Sequence, residues 1–263
     1  MGKKKRITPA ERRHMDYLRK RGLQVGRIYE GKLIKARRGE VRRLLNLCRD
    51  SNPSQWEMII EAQLREDYLY DWYKGLYVSA GVPRAKSTAR DLNKSKAAFE
   101  DGIWENELAK YAEQQAGEKI VLVSGTFKDT LVGITRKVLE DADGVGIEKL
   151  TRQIFDAYVK PSEGRSIELW QARRIAQTET MIGLADAGNI AAQTLDLRFS
   201  KQWCTSGLGN TRDTHLALDG VIVEDWEPFE LPDCHMMYPH DSSLGAPGGE
   251  IINCACDVIR RPI

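Results

Sequence analysis

The sequence has no apolar run approaching the length of a membrane-spanning helix, and its basic opening, MGKKKRITPAERRHMDY, has no hydrophobic stretch behind it. The expectation is therefore a chain that starts in the cytoplasm and has no membrane partner. Cysteine is scarce: Cys48, Cys204, Cys234, Cys254 and Cys256, an odd number. In a reducing compartment, free thiols or metal ligation are better expectations than a disulfide framework. The Ser-Gly-Thr at 124–126 lacks the Gly-Lys-Ser/Thr ending and the glycine spacing of a phosphate loop, which excludes that motif. No self-sufficient catalytic signature appears, and no residue is assigned a catalytic role.

Charge is present but unevenly spread. Residues 1–43 hold sixteen Lys or Arg against four acidic residues, so a formal net charge of +2 conceals a basic N-terminal arm and an acidic remainder. Lys3, Lys4, Lys5, Arg6, Arg12 and Arg13 are the candidates for contacting phosphate backbones, by counterion release and without reading sequence. An acidic protein surface is the other partner such an arm would suit.

The apolar content, 41 %, is enough for real cores. Helical periodicity predicts helices over 8–22 and 29–49, then a longer aromatic-rich helix after an N-cap chosen from Ser51, Asn52 and Ser54, stopping near Gly81 and Pro83. Trp56, Tyr68, Leu69, Trp72, Tyr73 and Leu76 read as core or interface positions, not as a base-stacking platform. The polar stretch 83–96 reads as a junction. An apolar run at 120–123 followed by a Ser124 or Thr126 cap predicts a new helix, and the segment 166–199 is the most strongly helical of all, with Ile175, Ile182, Ala185 and Asn189 near one face. Beyond Phe199 helical period gives way to short runs between Gly, Pro, Asp and Asn. The reading is a mainly α N-terminal helical region, 1–115, and a second region, 116–263, that is helical over 116–199 and a small α+β module over 200–263.

The closing stretch IINCAC sets two cysteines one residue apart, which on a strand would share a face. Ile251–Cys256 is expected to be a terminal strand returning to the segment around Trp203, with Cys254 and Cys256 turned toward His215, fastening the end of the chain by packing or by a metal. Asp219-Gly220 reads as a hairpin turn. No cofactor is expected, and small buried thiols packed under the terminal strand are the preferred reading; zinc is the alternative, for which Cys204, His215, Cys254 and Cys256 form a set of the Cys₃His type, with Cys234 and His235 as spare donors. His215 and Asp241 also have plain readings, a bracing histidine and a turn cap, and Glu179 reads as a solvent-exposed salt-bridge partner or, if buried, as the partner of Arg173, Arg174 or Arg212.

Five motifs occur in order: Ile175-Ala176-Gln177-Thr178-Glu179; Trp203; Arg212 with His215, Leu218, Asp219 and Gly220; Pro239 with Asp241; and Asn253-Cys254-Ala255-Cys256. Together they resemble the C-terminal region of the phage Mu F-like head morphogenesis proteins, the minor head proteins of tailed phages and prophages, over roughly 120–263. Some members of that family carry Cys-Pro-x-Cys in the turn, where Arg212 and His215 stand in this chain. The resemblance implies a virion protein of the inner head, assembled in the host cytoplasm, associated with the portal or major capsid protein and touching packaged DNA nonspecifically. Its alternative is a phage-delivered enzyme modifying a nucleotide or nucleic acid.

Overall fold

The structure, a computed structural model, describes residues 3–65, 67–92, 101–141, 144–160, 166–207 and 209–263. It is mainly helical with a small α+β module at the C-terminal end, as the sequence predicts. In chain order the elements are β1 (Lys3–Lys4), α1 (Pro9–Arg49), α2 (Trp56–Gln63), α3 (Asp67–Leu92), α4 (Asp101–Glu140), α5 (Ile147–Val159), α6 (Ile167–Thr194), β2 (Phe199–Cys204), α7 (Asp213–Leu218), β3 (Val221–Glu224), β4 (Phe229–Glu230), β5 (His235–Met236), α8 (Gly248–Ile251) and β6 (Asp257–Pro262).

Three expected interruptions are absent. Helix α1 passes through 23–28 without a break, α3 runs through Pro83 to Leu92, and α4 runs through Ser124 and Thr126. Residues 83–92 of the expected junction are thus helical, and 93–96 lie outside the described residues. The physical reason is close packing of small side chains. Ala85 and Ala89 of α3 are buried with Trp104, Leu108, Ala187 and Ala191, so a stretch without bulky residues is a tight helix contact. Gly22 and Gly26 serve the same end on α1: a Cβ at either would meet Leu184 Cδ1 at 2.5 Å or Thr180 Oγ1 at 2.6 Å. Helix α6 is accordingly buried nearly all round from Ala176 to Gly188, where periodicity suggested a single apolar face.

The chain divides into two compact units, each assembled from separated segments. One comprises residues 28–73 and 113–175. Its core joins Val41, Leu44 and Cys48 of α1 to Trp56, Phe127, Leu131, Ile154 and Tyr158. Trp56, Trp72 and Tyr73 are buried, as core residues should be, and Asn52 caps a single 3₁₀ turn by accepting a hydrogen bond from the Ser54 N–H. Glu168, fully buried, is held by a fork of three contacts from Arg38 at 2.7–3.0 Å.

The other unit comprises residues 1–27, 74–112 and 176–263. Its antiparallel sheet has the order β1-β3-β2-β6. Strand β2 lies at the centre of the pairing, with Phe199 opposite Pro262 and Cys204 opposite Asp257 on one side and Gln202 opposite Ile222 on the other. The basic arm begins as part of this sheet: Lys3 and Lys4 pair with Ile222 and Val221, and Ile7 is buried with Met15, Leu18 and Cys204. No described helix is long and apolar enough to cross a membrane.

Candidate metal centre

Alternation along β2 decides which side chains can meet. Trp203 faces a core that includes Phe229, Met236, Cys254, Cys256 and Val258, while Cys204, one residue on, faces α1. Cys204 therefore cannot join a ligand set with Cys254 and Cys256, which corrects the four-residue set expected from sequence. Cys234 is buried in the same core as Trp203 but outside the cluster, and His235 is exposed on β5.

The terminal cysteines do not lie on a strand either. Residues 252–256 form a turn and an extended connection after α8, and the strand that pairs with β2 starts at Asp257. Asn253 adopts φ 57°, and this left-handed residue turns the chain so that Cys254 and Cys256 point inward while Ala255 stays partly exposed. The shared face expected of a strand is produced by this turn instead. Likewise no hairpin forms at Asp219-Gly220: these residues link α7 to β3.

Helix α7 carries His215 into the core, where its ring meets Trp203 edge-on at 5.2 Å between centroids. Nδ1 of His215 stands 3.5 Å from the sulfur of Cys254 and 3.5 Å from that of Cys256. These three buried donors come together in a group that can hold a metal ion. On the far side of the ring, Nε2 lies 2.8 Å from Glu250 Oε2, too far off line for a good hydrogen bond, and Glu250 also accepts from the Thr214 hydroxyl at 3.2 Å. The backbone N–H of Cys256 donates to the Cys254 sulfur at 3.4 Å.

The two thiols are shifted in opposite directions. Cys254 is held well below the ordinary thiol range, first by a hydrogen bond from Cys256 and then, against its burial, by His240 and His215; Cys256 is pushed up by the same bond and by burial. His240 is a member of this site that spacing did not predict. Enclosed between Pro239 and Asp241, it sits within range of Cys254, and its Nε2 is 3.2 Å from the Cys256 carbonyl. Burial alone would lower its pKa, but the Cys254 sulfur outweighs this and raises it. Sequence offered one signal for it, a histidine inside the Pro239–Asp241 element. Glu250 offered none.

The remaining motif residues form the frame. The Thr178 hydroxyl accepts the N–H of Asn253 at 3.4 Å, tying α6 to the cysteine turn. Glu179, also buried, accepts from the Tyr77 hydroxyl at 3.3 Å. Arg212 donates to the Ile252 carbonyl at 2.6 Å. Asp219 accepts from the N–H and hydroxyl of Thr205, both at 2.9 Å, and from Arg12 at 2.8 Å. Asp241 caps its own turn, accepting from Met237 N–H and from Ser243 N–H and hydroxyl. Gly220 has φ 83°, and a Cβ there would sit 2.6 Å from the Lys5 carbonyl, so no other residue fits.

A cavity of about 40 Å³ adjoins His215, Cys254 and Cys256, room for about one water. Comparison with protein-family profiles, with curated proteins and with solved structures returned no match.

Proposed function

We propose that the chain is a phage or prophage minor head protein that acts in head morphogenesis, resides in the inner head, binds the portal or major capsid protein and contacts packaged DNA without sequence preference. The observation that carries this reading is that the five motifs of the resemblance meet in one module and spend their polar groups on holding its backbone and neighbouring side chains. Thr178, Arg212, Asp219 and Asp241 each tie together backbone segments, which is the work of a frame and not of a catalyst. The exposed side chains of Lys3, Lys4, Lys5, Arg6 and Arg13 support the DNA contact. Co-expression with the portal and capsid proteins encoded beside it tests the class: a stable complex with the portal is expected, and failure to bind either protein or to enter particles overturns it.

The same reading assigns zinc to the His215–Cys254–Cys256 cluster, as a pin for the end of the chain. With Zn–S about 2.3 Å and Zn–N about 2.05 Å, tetrahedral N and S ligand atoms stand about 3.5 Å apart. Both Nδ1–sulfur separations have that value. Elemental analysis should return about one zinc per chain, lost in Cys254→Ser, with a chelator lowering the melting temperature. Purified protein without zinc whose melting temperature ignores added zinc sinks the assignment.

A further inference from the structure

The exposed cations of helix α1 are ordered. Arg13, Lys20 and Arg27 follow one another at steps of seven residues, and so do Lys35, Arg42 and Arg49; all six are exposed. A step of seven residues advances about 11 Å and falls short of two full turns by about 20°, so each triplet forms a row along one side of the helix. The first triplet belongs to the unit that holds the sheet and the second to the other unit, and each is a row by itself. The exposed positions between their members, Tyr17, Gln24, Gly39 and Asn46, carry no charge.

Acidic residues are kept off these rows. Helix α1 has four, none of them exposed, and each is held by an arginine: Glu11 by Arg261, Asp16 by Arg19, Glu30 by Arg173 and Glu40 by Arg43. Of the six row cations, only two have a polar or ring partner among the described residues: Arg42 lies over the Phe155 ring at 5.0 Å, and Arg49 donates to the Thr151 hydroxyl at 3.4 Å. A face that served solubility alone would interleave acids one turn along, where each ion pair favours the helix. This face is left with one sign of charge and no counter-charge of its own.

We propose that the exposed face of α1 binds the phosphate backbone of duplex DNA. Cations about 11 Å apart stand about one Debye length from each other in physiological salt, so they repel weakly, while a duplex carries one charge per about 1.7 Å of its axis and offers each of them a phosphate in any register. An acidic protein would have to match the seven-residue step and bring its apolar centre to a surface where Tyr17 is the single large ring. This contact is distinct from that of the arm at Lys3–Arg6, and it depends on the charge of the helix and not on whether the chain enters a phage head.

The test is a salt series of binding by the full chain, arm intact, to two duplexes of about 30 base pairs and unrelated sequence. Lys20, Arg27 and Lys35 have no polar partner among the described residues, so changing all three to Gln should leave the melting temperature unchanged. The slope of log K against log salt should become shallower by about 2.7, about 0.9 for each cation removed, on both duplexes. Exchanging the same residues as Lys20→Arg, Arg27→Lys and Lys35→Arg should keep the wild-type slope, because only charge is used. Lys110, Lys137 and Lys160, exposed on α4 and beyond α5, changed together to Gln, remove the same net charge from elsewhere and should leave the slope in place. Because the arm is untouched, an arm that fails to bind DNA and a row that fails to bind it give separate results. An unchanged slope in the row variant, equal flattening in the control variant, or tighter binding of polyglutamate than of DNA at equal charge overturns the proposal, the last in favour of an acidic protein.

Discussion

Asp219 shows how much one side chain of the motif carries. Burial pushes its carboxyl pKa up, but the N–H and hydroxyl of Thr205 and the guanidinium of Arg12 outweigh this and hold it below the usual carboxylate range. A depressed folded pKa contributes stability that is present above the unfolded value, near 3.9, and is lost as pH falls through the folded one. Asp219→Asn should therefore lower stability by about 1–3 kcal/mol at neutral pH, and its melting temperature should converge on that of the wild type as pH drops below about 4. A gap that stays constant from pH 7 to pH 3 would mean that the charge is not what matters. The residue is legible in the sequence as part of the Asp219-Gly220 turn, but its partner Arg12 reads there as a DNA contact. Sequence could not show that the two are 2.8 Å apart, because 207 residues separate them.

At the scale of elements, the glycines and the proline mislead because their meaning depends on what lies opposite. Gly26 and Gly31 stand five residues apart on α1 and look equivalent in sequence. A Cβ on Gly26 would meet the Thr180 hydroxyl at 2.6 Å, whereas one on Gly31 meets nothing within 4 Å. Gly26→Ala should cost about 1–3 kcal/mol, and Gly31→Ala should stabilise by about 0.5–1 kcal/mol through helix propensity alone. Chemical denaturation of both variants checks the pair; equal effects would mean that the close approach of α1 to α6 is not tight. What periodicity does reveal is the helical character of α6 and the change of texture after Phe199, since these depend on local pattern. The candidate site is legible in part for the same reason. His215, Cys254 and Cys256 are marked by spacing and resemblance, while the exclusion of Cys204 follows from strand alternation and the arrival of His240 and Glu250 from tertiary packing.

For the whole molecule, the basic arm is the feature whose test changes most once its fold is known. Deleting residues 1–13 would remove β1, the buried Ile7 and the Arg12–Asp219 pair together with the charges. Replacing Lys3, Lys5, Arg6 and Arg13 by Gln leaves those in place. Duplex DNA binding by that variant should show a slope of log K against log salt that is shallower by about 0.9 for each phosphate the protein no longer neutralises. An unchanged slope, measured at the same melting temperature as the wild type, would move the DNA contact elsewhere.

The pairing of Lys3 and Lys4 with Val221 and Ile222, and of Glu11 with Arg261, also sets a timetable. A ribosome makes the first strand of this sheet before any of the strands it joins, and β2 cannot complete its pairing until β6 has emerged. The opening segment must therefore wait, basic and unpaired, for most of the time the chain takes to be made. The sheet is completed late in synthesis, so a chain cut short before β3 leaves β1 without the strand it joins, and one cut between β3 and β6 leaves β2 unpaired along one side.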